Sequence, residues 1–490
     1  MNRIDWISFW ADITPNKTAI IDSETEEEYS FQHIDKMACK TAAYLQDQYH
    51  LKKGDRVGIV SKNRIEYIYL FGAAQKIGIT LVPLNYRLTS RELGVLLTDI
   101  EASFILYEDD FEESVSSFSN SYTIDSFFDN VSDSEGDFQS VEIGEDDAIF
   151  ILYTSGSSGV PKGAIYTHKM LFWNSINTQI SLKLDNASAT IICMPPFHTG
   201  GWNVLLTPIL HTGGTCILME KFDAEKVIDQ LEKYHCTIFM GVPTMLKMMY
   251  DLPSFKEAKF EAINYFIVGG EAMSSDLIEA YHEKGIFIRQ GYGMTEVGPN
   301  LTSLHESEAT RKIGSIGKPN MYVGIKVVDE EGNEVKQGER GELLLSGPNV
   351  TPGYFKKEEE TKKCFSGSWF HTGDVVIQDE DGFIFIVDRI KNMFISGGEN
   401  VYPAEVERTL LTHPSINEAV VIGVPDKKWG ETGKAFIVLS EGAASISVDT
   451  LREFCLNKIS KYKIPKYVEI IAEMPKNDAG KIDRLALKKG

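Results

Sequence analysis

Apolar positions along this chain recur with two periods, and the switches between them outline the fold. Residues 56–60 (RVGIV) and 80–83 (TLVP) are short, nearly continuous apolar runs, whereas 37–49 and 66–77 repeat their apolar positions at helical spacing. The short runs predict buried strands and the longer repeat predicts helices. Thr89 followed by Glu92 predicts a capping box opening another helix. Further on, 148–152, 189–194, 216–218, 237–240 and 262–268 read as strands, and 224–234 and the segment from His168 onward as helices. Strands separated by helices imply parallel sheets, so the fold class is α/β. Residues 108–147 are acidic and Ser-rich with little periodicity, and a surface excursion is expected there. Trp6, Phe9 and Trp10 sit at helical spacing, which predicts packing onto the body.

From residue 325 the style changes. Residues 325–329, 342–346 and 383–387 read as strands joined by the turns Glu331-Gly332-Asn333 and Glu380-Asp381-Gly382, a small, antiparallel, β-barrel-like part. Residues 391–490 combine a helix opened by Pro403, strands at 419–423 and 434–439, a helix at 450–459 and a terminal PKNDAGKIDR loop, an α+β pattern. Charge marks off the same piece: from Lys391 onward 15 Lys and Arg face 13 Asp and Glu, whereas residues 1–390 carry 34 against 58. A near-neutral piece, 391–490, on an acidic body, 1–390, predicts two domains with different jobs.

The 490 residues, 43% hydrophobic, suffice for more than one core. A net charge of −22 argues against non-specific nucleic-acid binding and against an anionic membrane surface. Cys39, Cys193, Cys216, Cys236, Cys364 and Cys455 are scattered without a CxxC pair or a histidine at metal-ligand spacing, as in a reduced cytoplasmic protein. The N-terminus MNRIDWISFWADITP carries Asp5 and Asp12 and lacks a continuous apolar core, so no signal peptide is expected. No 18-residue apolar run offers a membrane span. The sequence leaves a homodimer open.

Candidate chemistry gathers just after predicted strands. Residues 153–163 read YTSGSSGVPKG, four small hydroxyl residues, three glycines and one lysine behind the strand at 148–152. A strand feeding a Gly-rich loop aims backbone N–H groups into a nest whose usual occupant is an anion, and phosphate is the natural one. The spacing is not GxxxxGK[ST], so this is no Walker-type loop. Other strand ends carry Asn85-Tyr86-Arg87, Pro196-Phe197-His198, Gly241-Val242-Pro243-Thr244 and Gly269-Gly270-Glu271, where ligands meet open α/β sheets. Residues 291–296 (GYGMTE) place a ring, a hydroxyl and a carboxylate in one tight segment.

Taken in order, YTSGSSGVPKG, PPFH, GGE, GYGMTE, TGD, DRIKNMFISGGENVYPAEVE and PKNDAGKIDR resemble the adenylate-forming superfamily of acyl-CoA synthetases, nonribosomal-peptide adenylation domains and beetle luciferases. The resemblance spans nearly the whole chain. It implies a ligation in two steps: a carboxylate attacks the α-phosphate of ATP to give acyl-AMP and pyrophosphate, then the thiol of coenzyme A displaces AMP. It implies ATP, Mg2+ and coenzyme A as cofactors and co-substrate, and a small-molecule acid as partner.

Residue by residue, the resemblance gives Thr154, Ser155, Gly156, Ser157, Ser158 and Gly159 to the phosphates, with Lys162 steadying the β,γ-phosphates. Lys481 bridges carboxylate and α-phosphate; Thr295 and His198 join the catalytic group; Glu296 meets the metal. Tyr292, between Gly291 and Gly293, stacks on adenine, edged by Gly269, Gly270 and Glu271, while Asp374 and Arg389 take the ribose. Lys391 matches the hinge of a mobile C-terminal domain, and Ser396, Gly397, Gly398 and Glu399 line a coenzyme A tunnel. Trp429 is assigned to the pantetheine arm, and Arg87 or Lys461, Lys463 and Lys466 to coenzyme A phosphates. Ser158 stands where many relatives have Thr, and Lys391 where others have Asp.

Acid choice is expected around His198, Trp202, Val204, Val242, Met245, Gly270 and Met294. Amino-acid-activating relatives keep an Asp where this chain has Phe197-His198-Thr199-Gly200, so an amino-acid substrate is not expected. The apolar members suit an alkyl chain or an aryl ring, and each equally suits plain core. A fatty acid is the first reading and an aryl acid of the succinylbenzoate or coumarate type the second. A non-catalytic nucleotide sensor is the reading from another class, opposed by the presence of Lys162, Lys481, Glu296 and Asp374. The chain ends nine residues after Lys481, so free coenzyme A rather than a carrier domain is the expected acceptor.

Overall fold

The computed structural model describes residues 4–154, 161–271, 273–396, 399–443, 446–456, 458–476 and 481–489. The chain divides into two compact units, Met1–Ile325 with Leu345–Phe370, and Lys326–Leu344 with His371–Gly490.

In the first unit a six-stranded sheet runs in the order Ser121–Thr123, Phe104–Tyr107, Arg56–Val60, Thr80–Pro83, Ala148–Thr154, Lys162–Thr167, parallel except for its last pair. A second sheet places Thr18–Asp22, Thr215–Leu218 and Ala189–Ile192 in parallel, with Glu28–Ser30 antiparallel at the edge. A third pairs Ile238–Gly241, Tyr265–Val268 and Ile288–Tyr292 in parallel. The central strands are buried at every position, as continuous apolar runs covered on both faces must be. The helix Glu66–Ile77 is buried from Tyr67 to Ile77, and its one buried cation, Lys76, is paired with Asp5 at 2.6 Å and Asp35 at 2.7 Å. The helix Ser90–Asp99 opens on the expected capping box, with Thr89 and Glu92 bonded reciprocally. Trp6 is buried and stacks on His211 at 3.8 Å, and Trp10 packs against the core, whereas Phe9 stays 44% exposed.

One sequence expectation is corrected here. Residues 108–147 are no featureless excursion: Ile124–Ser132 is a helix whose Ile124, Phe127, Phe128 and Val131 are buried. Its short amphipathic stripe is hard to see between acidic runs. The helix expected from His168 is present as His168–Leu182, and between it and the Gly-rich segment Lys162–Thr167 forms a strand antiparallel to Ala148–Thr154. Lys162 is thereby fixed on a sheet edge opposite Thr154.

The second unit carries the sheet Glu399–Val401, Phe394–Ser396, Gly430–Leu439, Ile416–Asp426, with Tyr467–Ile470 parallel to Gly430–Leu439. Helices Pro403–Leu411 and Val448–Cys455 bury Val406, Leu410, Leu451 and Cys455 in its core. In the barrel-like stretch the described pairing of Asp374–Gln378 with Ile384–Arg389 is antiparallel, as expected. Residues 371–390 pack with the C-terminal piece rather than stopping at 390. Asp388 accepts from the Ala404 N–H at 2.7 Å, which ties this hairpin to the helix at Pro403. Val375, Val387 and Tyr402 share one apolar cluster.

Candidate active site

In the first unit the site is built where strands end. The strand ends after Val268 and Tyr292 deliver Gly269–Glu271 and Gly291–Glu296 to one edge of the third sheet, and Gly241 delivers Val242 beside them. Gly270 has φ +86°, a left-handed conformation that favours glycine, and a Cβ there would stand 3.7 Å from Val242 Cγ1. Two of the residues expected around the acid are therefore neighbours. At Gly293 a Cβ would stand 2.0 Å from the Pro299 carbonyl oxygen, so no side chain fits. Tyr292 is 8% exposed and Met294 half-buried.

Glu296 is held by the six-stranded sheet and by a later segment. Its Oε1 accepts from Thr154 Oγ1 at 3.2 Å and from the Tyr354 hydroxyl at 2.9 Å. Burial first, and the Glu296 carboxylate next, push the Tyr354 phenol far above its ordinary pKa, so it stays a donor. Tyr354 is placed by backbone pairing, bridging to Ala164, while the Phe355 N–H donates to the Gly163 carbonyl at 2.8 Å. Lys162, 12% exposed at its side chain, meets Glu360 at 2.5 Å and lies 5.2 Å from the Tyr354 ring centroid. Thr154, Lys162, Tyr292 and Glu296 all belong to this unit. Ser155, Gly156, Ser157, Ser158 and Gly159 lie outside the described residues.

A buried polar network steadies the 292–300 segment. Asn300 donates to Thr178 Oγ1 at 2.6 Å and to the Val204 carbonyl at 3.1 Å, while Asn174 donates to the Asn203 carbonyl at 2.7 Å. Around the expected acid site, Phe197 lies against His198 at 4.5 Å and Tyr86 at 5.3 Å, and the Arg87 guanidinium sits 5.8 Å from the Phe197 ring. Arg87 and His198 thus share one aromatic cluster. Val204 and Met245 are buried and Val242 half-buried. Trp202 is 1% exposed, packs against Tyr67, Phe71 and Phe150, and donates to the Pro196 carbonyl at 2.8 Å. It is a core residue, because its bulk fills the space beneath the strand ends.

The second unit brings its own set together. Asp374 and Arg389 face each other across antiparallel strands, with Arg389 Nε 2.8 Å from Asp374 Oδ1. Asp374 is 2% exposed. Lys391 lies on the next turn; desolvation lowers its pKa, and the charges of Arg389, Lys481 and Arg484 lower it further, against Asp374. The segment after Lys481 is anchored by Arg484, whose guanidinium donates to Glu407 at 2.7 and 2.9 Å and to the Val421 carbonyl at 2.7 Å. Ser396 pairs with Glu399 across a hairpin and with Gly430 on the neighbouring strand, which places Trp429, 47% exposed, beside it. Gly397 and Gly398 lie outside the described residues. Lys463 and Lys466 are engaged by Glu405 at 2.6 Å and Asp426 at 2.5 Å.

Sequence reasoning missed Tyr354, Glu360, Asn300 and Arg484. Arg484 stands in the terminal PKNDAGKIDR segment and had a signal; the other three act through partners far away in sequence.

The chain belongs to the AMP-binding enzyme family: the model of that name matches residues 8–355, and the model of the family's C-terminal domain matches residues 405–481. Feruloyl-CoA synthase of an Amycolatopsis species is 36% identical, over 88% of each chain. Long-chain-fatty-acid–CoA ligase FadD13 of Mycobacterium tuberculosis is 32% identical, over 100% of this chain and 98% of its own. A solved structure of O-succinylbenzoate coenzyme A synthetase from Bacillus subtilis, in complex with ATP and magnesium ion, superposes with a TM-score of 0.89 at 29% identity, over 99% of each chain.

Proposed function

We propose that this chain is an AMP-forming acyl- or aryl-CoA ligase, joining an apolar carboxylic acid to coenzyme A through an acyl-adenylate. The observation that carries the reading is Glu296, fixed by Thr154 and Tyr354 in the unit that also holds Lys162, within a chain of this family.

Acid and triphosphate are both anionic, so the first step needs donors and cations aimed at the charge that develops on phosphorus. Lys162 takes the β- and γ-phosphates, and Lys481 neutralises the attacking carboxylate and α-phosphate. Asp374 accepts from the ribose hydroxyls, with Arg389 paired to it at 2.8 Å. Among the described residues no group of three or more His, Cys, Asp or Glu could hold a metal by itself. This fits magnesium carried on the triphosphate and met by one carboxylate, Glu296. Bound there, the ion supplies charge neutralisation on the leaving pyrophosphate. Ser396, Glu399 and Trp429 are assigned to the thiol substrate.

The finer reading is a fatty acid, supported by the apolar Val204, Val242 and Met245. An aryl acid is the second reading, favoured by the feruloyl relative. Pyrophosphate release measured across alkyl and aryl acids decides between them: medium- and long-chain acids are expected to turn over best, and a preference for cinnamates or benzoates replaces the first reading by the second. Lys481→Ala is expected to lower acid-dependent pyrophosphate release by at least about 100-fold. ATP binding without acid-dependent turnover would leave only a nucleotide sensor.

A further inference from the structure

The helix Glu358–Lys363 opens with three successive glutamates and closes with Lys362 and Lys363, and it has no buried residue. On sequence alone all three acids are surface charges favoured at a helix N-terminus. Glu359 behaves so, pairing with Lys362 while 79% exposed. Glu360 does not. Its Oε2 lies 2.5 Å from Lys162 Nζ and its Oε1 3.1 Å from Lys363. The lysine it holds is 12% exposed and backed by the Tyr354 ring, whose hydroxyl reaches Glu296.

A carboxylate on an ammonium occupies the place of one phosphate oxygen. A polyphosphate brings several such oxygens, and like-charge repulsion keeps it and Glu360 from sharing one Nζ. We propose that Glu360 is an internal competitor of the polyphosphate for Lys162, weakening ATP and pyrophosphate binding alike and so speeding pyrophosphate departure. This rests on the assignment of Lys162 to the β,γ-phosphates. Glu360 is a positioning residue, acting through Lys162. When the polyphosphate binds, the carboxylate swings out to Lys363 and solvent; when pyrophosphate leaves, it returns and restores the neutral pair. Ligand affinity is reduced by the fraction of time Lys162 is held closed.

The test uses calorimetric titration of the full-length protein with magnesium pyrophosphate and, separately, with AMP, alongside the KM for ATP. Glu360→Gln, and Glu360→Ala as a second variant, are expected to bind pyrophosphate about fivefold more tightly, the factor set by a partly exposed ion pair, and to lower the KM for ATP in parallel. AMP affinity is expected to stay constant, since AMP carries neither phosphate that Lys162 meets. Glu359→Gln, on the outer face, is expected to change nothing. Unchanged or weaker pyrophosphate binding in the Glu360 variants overturns the proposal, as does equal tightening toward AMP, which marks a general structural effect. Lys162→Met separates this failure from failure of the underlying assignment: it weakens pyrophosphate if Lys162 binds phosphate and leaves it untouched if not.

Discussion

At the scale of single residues, burial decides what a side chain can do. His168 is 3% exposed, and neither ring nitrogen has a hydrogen-bond partner among the described residues. Desolvation brings its pKa from 6.5 down to about 4, against the nearby Asp147. The folded value lies below the free one, so protonation favours unfolding: the stability is complete above pH 6.5 and drains away as the pH falls towards 4. Lowering the pH from 7 to 5 should cost about 2 kcal/mol through this group alone. Urea unfolding at both values checks it, and His168→Phe should remove that share of the acid sensitivity. This behaviour was not legible beforehand, because a lone histidine after Thr167 carries no mark of its burial. Trp202 carries no such mark either: an apolar residue near a strand end fits pocket wall and core equally, and its three aromatic neighbours come together only in the fold.

At the scale of elements, the legible parts were those whose period is enforced by two covered faces. Strands at 56–60 and 80–83 emerge as expected, because parallel strands in a covered sheet must be apolar throughout. The helix Ile124–Ser132 was not legible, because its four buried residues sit among acids. The ties between elements were also out of reach. Glu407, 13% exposed at its side chain, is joined to Arg484 across 77 residues, and burial raises its pKa against that partner's pull. Arg484→Met leaves a buried carboxylate without its cation, at a cost of about 3 kcal/mol. The measurable outcome is a lower unfolding temperature together with faster proteolysis near Lys481. The first reaction half should suffer more than coenzyme A binding, since Lys481 loses its anchor.

At the scale of the whole molecule, charge sets residues 391–490 apart, whereas packing groups Lys326–Leu344 with His371–Gly490. Asp388 belongs to the second unit because it caps a helix there, a relation that linear charge counts cannot register. We propose Lys391, three residues beyond Asp388, as the pivot of the C-terminal domain. Fixing that backbone with Lys391→Pro should slow thioester formation at least about tenfold while sparing adenylation, the two halves being timed separately by quenched flow. Equal loss in both would remove the pivot from Lys391. No helix among the described residues is long and apolar enough to cross a membrane. The six-residue helix that carries Glu360 has none of its side chains in a core, and substitutions at such positions rarely disturb folding. An inherited change there could reset the enzyme's appetite for ATP in a single generation, leaving the machinery of the reaction intact and letting descendants match their cells' energy supply.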